Sequence, residues 1–137
     1  MVMVSLNYVK SEGIMSTVSI RKTTGDDYAA IKAAVDQVIA DIGGIEDIIK
    51  PGYKVIIKPN LVACPTDRLS GGVTRWEVCL AIYEAVKALG AEPVIAESSA
   101  AGADTELTIA KCGYQELRDK GIPVIDQIGR ASCRERV

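Results

Sequence analysis

Apolar residues come in two kinds of run along this chain, spaced at steps of three and four or bunched into short β-branched stretches, and the two alternate. Tyr28, Ile31, Val35, Val38, Ile39 and Ile42 form one helical stripe, predicting a helix over about 27–42 with Gly25-Asp26-Asp27 supplying its turn, cap and first-turn acids. Gly43-Gly44 stops it. Val55-Ile56-Ile57 is unbroken and β-branched, which predicts a strand covered on both faces. Pro59 then removes a ladder donor and extends Lys58, so pairing stops with Lys58 and Asn60 at the strand's carboxyl end.

The same reading extends to the rest of the chain. Val18 to Arg21 predicts an opening strand, and Ile45 to Lys50 a short helical or irregular turn before the Pro51-Gly52 turn. Ala63 to Val73 is a long loop rich in Pro, Asp, Ser and Gly. Thr74-Arg-Trp-Glu77 fits a capping box, opening a helix to Leu89 with Val78, Ala81, Ile82, Ala85 and Leu89 on its core face and Gly90 as its stop. Pro93 to Ala96 is a strand with a polar exit, Glu97-Ser98-Ser99-Ala-Ala-Gly102. Asp104 or Thr105 caps a helix to about Lys111, and Tyr114 to Lys120 adds further helical turns after Cys112-Gly113. Ile122 to Ile125 is a last strand ending at Asp126. Strand and helix alternate throughout, the pattern of an α/β fold with a mainly parallel sheet in a three-layer, sandwich-like arrangement.

Composition narrows the function. Hydrophobic residues make up 48% and charged residues 25% of 137 residues, enough for one globular domain. A formal net charge of -2 without a basic block argues against a nucleic-acid surface. No apolar run is long enough to span a bilayer, and Met1 to Ile14 lacks the build of a secretory signal, so a cytoplasmic location is expected. Histidine is absent, which excludes a Ser-His-Asp triad, a Cys-His pair and any His-ligated metal within the chain. Cys64, Cys79, Cys112 and Cys133 form no C-x-x-C, and Cys79 and Cys112 read as reduced helix-packing residues.

The ends read differently from the middle. Residues 1–14 show no clear period and read as an upstream extension before Met15, with a natural N-terminal arm as the alternative. Residues 128–137 resemble the one-frame translation of a sequencing adapter and are set aside, with a natural basic tail as the alternative. The authentic α/β domain is expected over 15–127, truncated, with a sheet edge or core face left uncovered.

In a parallel sheet the ends of the last three strands share one edge. Lys58 with Asn60, Glu97 with Ser98 and Ser99, and Asp126 would meet there, and could bind a small anionic ligand or hold a hard cation through oxygen ligands. Gly71-Gly72 before Thr74 adds a glycine-rich approach to a helix N-terminus. Neither a Walker loop nor a dinucleotide fingerprint is present. Each residue has a plainer role as well: Lys58 as a solvated strand end, Asn60 as a turn former, Thr74 and Glu77 as caps, the glycines as turn geometry. Glu97 directly after a buried strand needs a partner, and Lys58 is the obvious one, in a pair that could be purely structural.

The run Pro51-Gly-Tyr-Lys-Val-Ile-Ile-Lys-Pro-Asn-Leu61, with Gly72-Val-Thr74, Gly90-Ala-Glu-Pro-Val-Ile-Ala-Glu97-Ser98 and Gly113-Tyr114, resembles the opening half of the family catalogued as domain of unknown function 362. The resemblance covers about Val18 to Asp126. It implies recurrent polar positions at Lys58, Asn60, Thr74, Glu97 and Ser98; in an enzyme reading of the same edge the catalytic candidates are Lys58, binding or polarising an anionic substrate, and Glu97, as acid, base or metal ligand. It implies longer proteins associated with iron-sulfur redox chemistry, in which a ferredoxin-like module in cis carries a 4Fe-4S cluster downstream of this stretch. A non-catalytic ligand- or partner-binding module is the other reading.

Overall fold

The computed structural model describes residues 2–5, 17–62, 69, 71–98 and 104–127, the first four as backbone. Ser99, Gly102, most of the 63–70 loop, Cys64 and the 128–137 segment lie outside the described residues. Nine elements follow one another: β1 (Val2–Ser5), β2 (Val18–Arg21), α1 (Tyr28–Asp41), β3 (Lys54–Ile57), α2 (Trp76–Ala88), β4 (Glu92–Glu97), α3 (Thr105–Lys111), α4 (Gln115–Asp119) and β5 (Val124–Asp126).

The α/β reading holds. Strands β3, β4 and β5 form a parallel sheet in that order, with Ile57 beside Ile95 and Ile95 beside Val124. Both crossovers step in the same direction, and with the usual right hand that puts their helices on one face. The core agrees: Ile57, Ile95 and Val124 share a single cluster with Cys79 and Leu80 of α2, Ile109 of α3, Leu117 of α4, and the flanking Cys112 and Tyr114. Pro93 is tolerated inside β4 because successive N–H groups alternate sides. The N–H of Glu92 serves the β3 side, bonding Tyr53 O, while pairing on the other side begins only where Ile95 N–H meets Pro123 O.

Three expectations are corrected. The strand Val18–Arg21 is not part of the parallel sheet; it pairs antiparallel with Val2–Ser5, within the stretch read as lacking any period. Among the described residues, strand β3 is covered on one face only. Ile57 is buried, whereas Ile56 is 59% exposed, because among the described residues every helix packed on this sheet lies on the Ile57 side. Helix α2 is buried on two sides instead of one. Val78, Ala81 and Ile82 meet Ile31 and Val35 of α1, while Cys79 and Leu80 meet the sheet. Helix α1 thus forms its outer layer on α2, and a single stripe could not report a helix sandwiched in this way.

Local chemistry accounts for the helix ends. Asp27 caps α1 by accepting the Ala30 N–H at 2.9 Å. Gly90, with φ +75°, closes α2, and its carbonyl accepts the Gly52 N–H at 2.9 Å. Strand β2 is fastened to α1 by Asp41, whose carboxylate accepts from Ser19 Oγ at 2.6 Å and Arg21 Nε at 2.8 Å. Among the described residues no helix is long and apolar enough to cross a membrane.

These contacts hold the Asp41 carboxyl at about 2 instead of the usual 3.8, first through the Ser19 hydroxyl, then Gln37 and Arg21. A lowered folded-state value stabilises the fold above about pH 4, and that contribution disappears as pH falls towards 2. An NMR titration of the Asp41 carboxyl should therefore show a midpoint near 2, moving upward in Ser19→Ala; an ordinary midpoint in the native protein would refute the fastening.

Candidate functional site

The parallel sheet delivers two of the expected residues into direct contact. Glu97 is the last residue of β4, and its side chain is only 4% exposed. Lys58 lies one residue past β3, where the buried Pro59 ends the strand. Its Nζ sits 2.9 Å from Glu97 Oε1 and 2.8 Å from Oε2. Glu97 Oε1 also accepts the N–H of Ser98 at 2.7 Å. The carboxylate therefore has a counter-charge and a backbone donor, which a buried acid needs.

The lysine is the open half of the pair. Its side chain is 61% exposed. An ammonium has three N–H donors, of which the two carboxylate oxygens take up to two. Asp126 stands beside Glu97 as its register partner on β5, and the Gln127 N–H bonds the Glu97 carbonyl at 2.9 Å. Lys58, Glu97, Ser98 and Asp126 thus share the carboxyl edge of the sheet, as expected.

Asn60 and Thr74 are bonded to each other. The Thr74 hydroxyl does not cap α2; it accepts the Asn60 N–H at 2.9 Å, while the Thr74 N–H donates to Asn60 O at 3.0 Å. The Asn60 side-chain amide adds a longer bond to Gly72 O, 3.4 Å. These bonds close the base of the 61–73 connection. Gly71 is exposed with φ +85°, a turn conformation suited to glycine, and Gly72 is exposed next to it. Ser99 lies outside the described residues.

Helix α2 starts without a side-chain cap, after Arg75. Sequence reasoning missed Arg75. Its guanidinium donates to Glu77 Oε1 at 3.0 Å, to Asp26 Oδ1 at 2.9 Å and to Asp26 O at 2.9 Å, joining the turn before α1 to the start of α2. Glu77, only 5% exposed, is therefore a buried ion-pair partner rather than half of a capping box. Hydrogen bonding to Glu77 is the main reason the Arg75 guanidinium is held even more firmly protonated than usual. An arginine two residues before a glutamate at a helix start was the available signal.

Behind this edge stands Tyr114, fully buried. Its hydroxyl donates to Thr74 O at 3.0 Å and lies 3.3 Å from Cys79 Sγ. Burial, then Cys79, pushes the phenol well above its ordinary range. Burial also pushes the Cys79 thiol up to about 11, against a smaller opposing effect of the Tyr114 hydroxyl. Cys79 and Cys112 are buried packing residues, as expected, and burial leaves neither with the access that a cluster-ligating thiolate needs. Among the described residues, no three of His, Cys, Asp or Glu converge as metal ligands.

Comparison with known proteins adds a family and a relative. The family described as "Domain of unknown function (DUF362)" matches residues 55–135. "Thylakoid-associated protein sll1697" of Synechocystis sp. is 28% identical over 115 residues, which cover 82% of this chain and 35% of that protein. The chain therefore spans about a third of the length of the curated relative it matches. No solved structure matches it.

Proposed function

Since the chain belongs to the DUF362 family, whose description assigns no reaction, we propose from its own residues that this domain binds a small anionic ligand at the carboxyl edge of the β3–β4–β5 sheet. Lys58 is the binding cation and Glu97 the group that aims it. The observation carrying this reading is the asymmetry of the pair: a buried carboxylate engaged through both oxygens holds an ammonium that remains largely in solvent. A purely structural pair has no need to leave its cation open, and the carboxyl edge of an open α/β sheet is where such folds place ligands.

Binding is favoured over catalysis by the same contacts. Glu97 accepts from Lys58 and from the Ser98 N–H, so acid or base work, or metal ligation, would first require Lys58 to swing away. The enzyme reading, with Lys58 and Glu97 as catalytic groups beside an iron-sulfur module, would draw its 4Fe-4S cluster from polypeptide outside this chain. Asp126, next to Glu97, sets a limit on ligand charge, since a second carboxylate at the edge repels a highly charged anion.

Calorimetric titration with inorganic phosphate and with succinate tests the reading. Lys58→Ala should weaken binding of whichever anion is held by about 10-fold, the scale of one charge-assisted hydrogen bond. Glu97→Gln should weaken it less, because the ammonium survives but loses its aim. Unchanged affinity in both variants would overturn the proposal. A loss of thermal stability with no change in affinity would assign the pair to structure alone.

A further inference from the structure

The second face of the sheet has no helix on it among the described residues. In register, Ile56 lies beside Val94 and Ala96 beside Ile125, opposite in facing to the Ile57, Ile95 and Val124 of the core. Ile56 is 59% exposed, Val94 and Ile125 are half-buried, and only the small Ala96 between them is enclosed. Parallel strands in α/β proteins are covered on both faces, because their side chains are apolar on both.

The size of this face decides between its possible occupants. Three strands spaced at about 4.8 Å and paired over up to four residues, at about 3.3 Å each, present roughly 190 Å². A stable dimer buries about 800 Å² per partner, so a second copy of this chain is poorly matched to the face. One helix about 11 Å across and about eleven residues, or three turns, long presents roughly 180 Å² and covers it. Topology points the same way. Both crossovers between β3 and β5 step in one direction and lay their helices on the core face; a connection of the same hand that runs back from β5 towards β3 lays its helix on the opposite face.

We infer that the Ile56 face is the docking surface for one amphipathic helix of about three turns, supplied in longer family members by polypeptide outside the stretch that this chain represents. The chain matches only 35% of the Synechocystis protein, so such polypeptide is available there. The helix presents an apolar stripe to Ile56, Val94 and Ile125. Lys54 and Glu92, the exposed register pair at the start of the two strands, frame the end of the face away from the ligand edge. The inference does not depend on the ligand proposed above.

Cysteine-accessibility labelling tests it. Ile56→Cys, and independently Val94→Cys, are made in this chain and at the aligned positions of the Synechocystis protein, each folded variant being checked by circular dichroism. Maleimide modification at those positions is then timed by peptide mass spectrometry. Modification of Ile56→Cys in this chain should run within about 3-fold of the rate in denaturant, as for an open site; in the longer protein both positions should react about 100-fold more slowly, as for sites that must open first. Equally fast modification in the longer protein would overturn the inference. So would protection in this chain that grows with concentration alongside a dimer mass in sedimentation, which would give the face to a second copy.

Discussion

Truncating Tyr114 to alanine is expected to lower the free energy of unfolding by about 4 kcal/mol, the scale for deleting a fully buried aromatic side chain. Domains of this kind hold about 5–15 kcal/mol in total, so the variant should melt roughly 10–15 °C lower or fail to fold. Two effects combine in that number, and Tyr114→Phe separates them. Phenylalanine keeps the ring among Cys79, Ile109 and Leu117 and loses only the hydroxyl that donates to Thr74 O. It should cost about 1–2 kcal/mol, mostly because the Thr74 carbonyl loses its donor. Urea unfolding of both variants measures the split. A phenylalanine variant as stable as the native protein would mean that the hydroxyl plays no part in holding the start of α2 to the core.

Removing Arg75 should be the second most damaging change. Arg75→Met deprives Glu77, only 5% exposed, of the guanidinium that faces it and releases the turn at Asp26. Breaking a buried ion pair costs about 3–5 kcal/mol; Glu77 keeps another contact and the guanidinium is itself 22% exposed, so about 2–3 kcal/mol is the better expectation here. Asp26 contributes little of this, being 89% exposed and screened by water. The double variant Arg75→Met with Glu77→Leu should recover much of the loss, because the cost lies in the carboxylate left behind rather than in the pair itself. If the single variant unfolds at the native urea concentration, or the double variant is worse than the single, the account of this network is wrong.

The sequence was most legible where the deciding interaction was local. Helix α1 follows from its stripe and from Asp27, whose partner is three residues away. Lys58 and Glu97 are 39 residues apart in sequence, yet their pairing was readable, because a carboxylate at the end of an apolar strand demands a cation and the parallel sheet puts one beside it. The capping box failed for the opposite reason. Thr74 has the right neighbours for a cap, but its hydroxyl is taken by an N–H at Asn60, which no local pattern reveals. Strand β3 failed because a run of three β-branched residues looks the same whether one face is covered or two. The place of Val18–Arg21 was hidden similarly: its apolar positions say that it is a strand, not which strand it joins.

The bonds between Asn60 and Thr74 bear on how this domain can change over evolutionary time. They join residues 14 apart at the base of a connection, so the positions of Lys58 and of the α2 start are set at this clasp, together with the buried Leu61 and Val73 beside it, and not by the loop beyond them. Closing a loop twice as long costs only about 0.6 kcal/mol more. Insertions and deletions between Val62 and Gly71 should therefore be tolerated while the strand end stays in place, which lets members of the family diversify the rim of the sheet's carboxyl edge without rebuilding its floor.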